Sequence, residues 1–291
     1  MLNRWIKLVL AVIVLVGSTQ LCIADDTKSA DEILADTTKQ LEALKSWSAD
    51  FETSGTAPKG HNKTSGHMVF NGPNLLRVEM NNTPVNGDPS AILLVMGNDL
   101  IMWRELSIGS ANLTKKTKGK VHSFKFTGAW KSITKINMAT VMNNAQAKTS
   151  DYSCDPPKEL IPGRQWELTK DYMKWKTLKD SNIEGQPVWI LEGIWIEEIP
   201  YSRFAQSQKA AFGNSRLYVG KQDGFVHRVV QFNKSNKAIR RTTEIKNIVT
   251  DADTTAVIFN YKPSYDMQQI VEDKTAAFIA GEKGFWEKIM Q

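Results

Sequence analysis

Along most of this chain, short runs of alternating apolar and polar residues are cut off by clusters of Gly, Pro, Asn and Asp. In an extended strand a period of two sends the apolar side chains to one face. A chain made of such runs folds by burying one face of a sheet, a constraint that dominates everything else in the sequence. Trp47-Ser48-Ala49-Asp50-Phe51-Glu52-Thr53 is the first run. Gly66 to Phe70 is the second, and Leu76, Val78 and Met80 alternate with Arg77 and Glu79 in the third. Ala91–Val95 and Leu100–Arg104 flank Gly97-Asn98-Asp99, an evident hairpin. Further runs are Pro187–Leu191, Ile194–Ile196, Leu217–Val219, Phe225–Phe232, Arg240–Val249 and Ala256–Tyr261, with Lys221-Gln222-Asp223-Gly224 as a turn. Roughly ten or eleven strands fit one large sheet. Hairpin-length connections make it antiparallel.

Helical spacing is rarer. Ser29-Ala30-Asp31-Glu32 is a capping box, and Ile33, Leu34, Leu41 and Leu44 follow at helical spacing, so residues 30–45 are predicted to form an amphipathic helix. Trp130, Ile133, Ile136, Val141 and Ala145 form an imperfect helical stripe over residues 130–147. Residues 163–180, with Trp166, Tyr172, Met173 and Trp175, are read as helix, as is the tail 273–290, interrupted by Gly281 and Gly284.

The first two dozen residues have a different purpose. Arg4 and Lys7 precede the apolar run Leu8–Val16, and Cys22-Ile23-Ala24 places small residues at the positions that signal peptidase reads. A signal peptide over 1–24, cleaved near Ala24, leaves residues 25–291 as one domain. Nine apolar residues in a row are too few to span a bilayer comfortably. Acylation of Cys22 is the rival reading, and the bulky Leu21 before it argues against that. Cys154 is then the only thiol of the exported protein, read as buried and inert.

The chemistry of a catalyst is hard to find. No G-x-S-x-G, H-E-x-x-H, Walker or G-x-G-x-x-G pattern occurs. Four histidines, His61, His67, His122 and His227, are scattered, and only His61 and His67 lie close enough to suggest a shared metal. Glu197 and Glu198 are adjacent and would point to opposite faces of a strand. Asp251 and Asp253 suit a turn as well as calcium. The reading is therefore a binding protein, not an enzyme, with no cofactor and no metal.

Apolar chemistry is abundant. Trp47, Phe51, Met68, Phe70, Leu76, Val78, Met80, Ile101 and Trp103 fall in successive strands. They fit an ordinary core sealed under a helix, and they fit equally a greasy surface that holds an acyl chain, for which Met and aromatic side chains supply area and adaptable shape. Between Leu106 and Thr149 there is no acidic residue, while Lys115, Lys116, Lys118 and Lys120 head a lysine-rich series. That stretch is either a solvated loop or an electrostatic docking site for anionic headgroups or an acidic partner. Nucleic acid is a poor partner for an exported chain without a recognition motif.

Several of these segments also resemble a known family. Ser46-Trp47-Ser48-Ala49-Asp50-Phe51 with Gly66-His67-Met68-Val69-Phe70, then Pro73-Asn74-Leu75-Leu76-Arg77-Val78-Glu79-Met80, resemble the opening of the periplasmic outer-membrane lipoprotein carriers (LolA-like). Leu93 to Trp103 resembles their Gly-containing hairpin. Leu217-Tyr218-Val219 to Val230 and Val257-Ile258-Phe259-Asn260-Tyr261-Lys262-Pro263 resemble their last hairpin and closing strand. The resemblance implies a mainly β, α+β fold: a curved antiparallel sheet forming an unclosed half-barrel, with helices covering its concave face as a lid. It implies a monomeric periplasmic carrier of lipid or lipoprotein acyl chains that meets partner proteins at the inner and outer membranes. The alternative is a sensor or scaffold of the same fold that binds a partner protein. Two departures stand out. The family's basic residue before the Pro-Asn pair falls on Gly72, and the middle region, about 107–215, is longer than the family pattern and reads as an insert.

Overall fold

The computed structural model describes residues 28–57, 60–72, 75–83, 90–108, 112–117, 120–125, 130–143, 161–199, 203–255, 257, 259–263 and 271–280. The proposed signal segment, Cys22 and Cys154 lie outside these residues.

The chain enters through helix α1 (Ala30–Ala43). Its capping box forms as the sequence dictates: the Ser29 hydroxyl accepts from the Glu32 amide at 3.2 Å, and the Ser29 amide donates back to the Glu32 carboxylate at 2.8 Å. Ala30, Ile33, Leu34 and Thr37 form its buried stripe. The strands that follow are β1 (Ser46–Ala57), β2 (Gly60–Asn71), β3 (Leu75–Thr83), β4 (Ser90–Met96), β5 (Ile101–Ile108), β6 (Asn112–Thr117), β7 (Lys120–Lys125) and β8 (Trp130–Asn137). Helix α2 (Met138–Asn143) comes next. Beyond it lie β9 (Met173–Thr177), β10 (Ser181–Ile183) and β11 (Gln186–Trp195), then helix α3 (Arg203–Ala211). The chain closes with β12 (Ser215–Gly220), β13 (Val226–Phe232), β14 (Ile239–Thr250), β15 (Val271–Asp273) and helix α4 (Thr275–Ala280).

Thirteen of these strands form one sheet in the order β10-β11-β12-β13-β14-β1-β2-β3-β4-β5-β8-β15, with β9 continuing the β10 edge along β11. The sheet is large, curved and open, an unclosed half-barrel. Described pairings are antiparallel except for β8 with β15, which is parallel. Strands β6 and β7 pair with each other as a separate two-stranded hairpin. No described helix is long and apolar enough to cross a membrane.

Three expectations need correction. The helical stripe of 130–147 is strand β8 followed by the six residues of α2. Ile133 and Ile136 have opposite parity, and both are buried because β8 is covered on both faces. Residues 163–180 hold two short 3-10 turns, 165–168 and 170–172, and then strand β9. The described residues of 256–261 lie in no strand or helix. In the tail, only α4 of the expected long helix falls within the described residues.

Close approach of β2 and β3 depends on one residue. A Cβ placed on Gly66 would lie 1.9 Å from the Glu79 carbonyl oxygen and 2.9 Å from Phe51 Cζ. Gly66→Ala therefore forces the two strands apart or displaces the Phe51 ring. A loss of about 2–3 kcal/mol is expected in a urea titration; a change below ~0.5 kcal/mol would mean that this packing is loose.

Candidate functional site

Register decides which side chains share a face. Trp47 pairs with Phe70, Phe70 with Leu76, Leu76 with Met96 and Met96 with Met102. Ala49, Met68, Val78 and Leu94 form the next row, and Phe51, Gly66, Met80, Ile92 and Leu106 the one after. Five adjacent strands thus present one nearly unbroken apolar surface. Trp47, Phe51, Met68, Phe70, Leu76, Val78 and Met80, all expected there, are no more than 5% exposed and belong to one cluster. Met68, Met80, Met96, Met102 and Met138 make the cluster methionine-rich, so its contours are deformable.

Ile101 and Trp103 lie elsewhere. Met102 pairs with Met96 and Ile136 on the concave face, so Ile101 and Trp103 point to the convex one. There Trp103 packs on Tyr261, ring centres 5.7 Å apart, and the Tyr261 hydroxyl donates to Glu105 at 2.5 Å. Burial, reinforced by the Glu105 carboxylate, pushes the Tyr261 phenol well above its ordinary range. Tyr261, in the segment after β14, thus meets the convex side where a strand was expected. Three consecutive apolar residues, Ile101, Met102 and Trp103, leave the parity of β5 ambiguous in the sequence.

The cover over the concave face has two unequal parts. Helix α1 sets Ile33 and Leu34 against Leu191, Leu217, Val219, Val226 and Trp166, a second cluster on the β11–β13 half of the sheet. Polar contacts fasten it there: Gln40 donates to the Asp223 carbonyl, and Lys170 Nζ donates to the Thr38 hydroxyl at 3.1 Å. Over the β1–β5 half, the described cover consists of short pieces: Leu44, Ile161, Met138 and Val141 from the α2 region, and Ala277 and Ile279 of α4. At the seam, Trp47 stacks on Phe70 with ring centres 4.3 Å apart and planes 10° from parallel. The Arg164 guanidinium lies 5.9 Å over the Phe70 ring, and its Nη2 donates to the buried Glu167 carboxylate at 2.9 Å.

One charged side chain interrupts these three rows, and sequence reading passed over it. Arg104 stands between Met102 and Leu106 on β5, opposite Leu94 and Thr134, on the concave face. It is 6% exposed, and two of its guanidinium nitrogens, Nε and Nη2, are buried without a hydrogen-bond partner. Burial alone lowers its pKa to about 10. The signal was available: with Met102 and Leu106 inward, position 104 should be apolar. Placing Ile101 and Trp103 inward sent Arg104 outward, where an arginine is unremarkable.

The remaining candidates are apart from this surface. His67 is exposed and hydrogen-bonds Asp50 at 2.7 Å, while His227 pairs with Asp223 at 2.9 Å. Among the described residues no three His, Cys, Asp or Glu side chains are grouped to hold a metal ion. Asp253 accepts from the Thr255 amide at 3.0 Å and the Thr255 hydroxyl at 2.7 Å, which accounts for it as a turn residue. Lys115, Lys116 and Lys120 lie on the separate β6–β7 hairpin, and Lys118 falls outside the described residues.

No protein-family model matches the chain, and no curated protein matches its sequence. Among solved structures it is similar to MucB in complex with MucA(peri), with 9% identity, 82% of this chain covered and a TM-score of 0.37. The chain spans 58% of that MucB chain. It is similar to LprF from Mycobacterium bovis at 14% identity, with 79% of this chain and 96% of the other covered and a TM-score of 0.36. A LolA superfamily protein from Nitrosomonas europaea is 10% identical, covering 80% of this chain and 98% of its own, with a TM-score of 0.28.

Proposed function

We propose that this protein is an exported, periplasmic binder and carrier of lipid or lipoprotein acyl chains, held on the concave face of the half-barrel. The observation behind this reading is the methionine-rich apolar surface of β1–β5, which the described residues cover only with short pieces. Each methylene moved from water onto such a surface is worth roughly 0.8 kcal/mol, so two or three partly sheltered chains are held without a covalent bond. The side chains of this face are buried, and a guest displaces cover from the β1–β5 half while α1 stays fastened to the other half. Release is then driven by a partner with higher affinity for the cargo.

Native mass spectrometry of protein gently purified from the periplasm tests this. Bound lipid is expected as discrete mass increments that disappear on organic extraction. Bare protein under conditions that preserve complexes would overturn the reading.

The separate β6–β7 hairpin supports a docking role for the lysine-rich stretch. It pairs with no other described strand, and its charge would meet an anionic membrane surface while the sheet holds cargo. A scaffold that binds a protein partner through the same hairpin is the second reading, and the excision argued in the Discussion separates the two.

A further inference from the structure

We propose that Arg104 is an anion receptor built into the acyl-chain surface, taking the phosphate or carboxylate oxygens of an amphiphile whose chains lie across β1–β4. The inference rests on the carrier reading and specifies the class of cargo: acyl chains joined to an anionic head.

Three observations converge on it. First, a guanidinium buried without partners is costly, because desolvation of the charge is not offset. Its Nε and Nη2 are both unpartnered, and these two donors form one edge of the planar fork that matches a carboxylate or phosphate. Second, polarity is graded within the three inner rows. On β1–β4 these rows carry Trp47, Phe51, Met68, Phe70, Val78 and Leu94, whereas β5 and β8 add Arg104, Thr134 and Ser132; the next row outward, Thr53, Thr64, Asn82 and Ser90, is polar across β1–β4. Thr134, the cross-strand partner of Arg104, is buried too. Third, four strand spacings separate β1 from β5, roughly 19 Å, the length of a long acyl chain. One end of the surface therefore suits a charged head and the rest suits its tails.

A purely structural role fits poorly. An arginine that stabilised the fold would have its fork paired, and no carboxylate contributes to its titration.

The test measures binding of dipalmitoyl phosphatidylglycerol, dipalmitoylglycerol and inorganic phosphate to the full protein and to Arg104→Met and Arg104→Lys. The unmodified protein is expected to prefer the anionic lipid on the order of 10–100-fold. Arg104→Met should bind both lipids alike, with a melting temperature unchanged or higher, since it removes an orphan charge from an apolar face. Arg104→Lys should retain part of the preference. Undiminished preference in Arg104→Met would overturn the assignment, and so would equal binding of the two lipids by the unmodified protein. A melting shift of the same size with inorganic phosphate alone would make this a free-anion site and overturn the lipid-linked assignment. Failure of both lipids to bind would overturn the carrier reading along with it.

Discussion

Trp47→Ala should destabilise the fold by about 3–5 kcal/mol, the largest loss expected from any single truncation on the concave face. The indole is 5% exposed, lies flat on Phe70 at 4.3 Å and meets the Phe225 ring at 6.3 Å and 56°. Phe225 precedes Val226 of the second apolar cluster, so Trp47 joins the two halves of the interior. Truncation leaves a void between a sheet and a turn that cannot both close on it, and it forfeits the ring contacts, worth about 0.5–1.5 kcal/mol beyond area. In a chain of this size the melting temperature should fall by about 5–8 °C. Trp103→Ala is the control. That ring lies on the convex side against Tyr261, and its loss should cost less and leave acyl-chain binding unchanged. Equal losses, or a Trp47→Ala change under ~1 kcal/mol, would mean that the seam is not packed as described.

The sheet was legible because most of its strands hide one face only, so alternation could be read directly. β1, β3 and the β4–β5 hairpin follow from period two and a Gly-Asn-Asp turn, and α1 follows from a capping box. Legibility fails where both faces are covered. In β8, Ile133 and Ile136 are both buried although they point opposite ways, and the resulting spacing of three imitates a helix. In β5, three apolar residues in a row conceal the parity, and Arg104 was lost with it. The turns at 165–172 are a different failure. Trp166 is buried by the tertiary contact with α1 and β11, and nothing local marks a chain held by distant partners. Most of the candidate surface could therefore be read in advance, while its polar end could not, since that end is defined by pairing between β4, β5 and β8.

Excising the β6–β7 hairpin should leave the fold intact and abolish its electrostatic docking. Ile108 and Trp130 are direct partners across β5 and β8, so residues 109–129 can be replaced by Asn-Gly, a two-residue turn that matches the twist of such a pair. A cut at 106–135 would instead remove most of β8, which is paired along its length with β5, and the edge of the sheet would go with it. The shorter excision deletes Lys115, Lys116, Lys118, Lys120 and Lys125 and no acidic residue, taking the formal charge from +6 to +1. At about 1 kcal/mol per lysine near an anionic surface, affinity for phosphatidylglycerol vesicles should fall on the order of a thousand-fold. The melting temperature should move by no more than about 2 °C, and co-purified lipid should remain bound. Raising the salt to 1 M, where the screening length is about 3 Å, should weaken the intact protein in the same way. Undiminished vesicle binding would sink the docking role and return the lysines to a solvated loop. Loss of a protein partner with vesicle binding unchanged would instead favour the scaffold, because the two readings share the hairpin and differ only in what its charge meets.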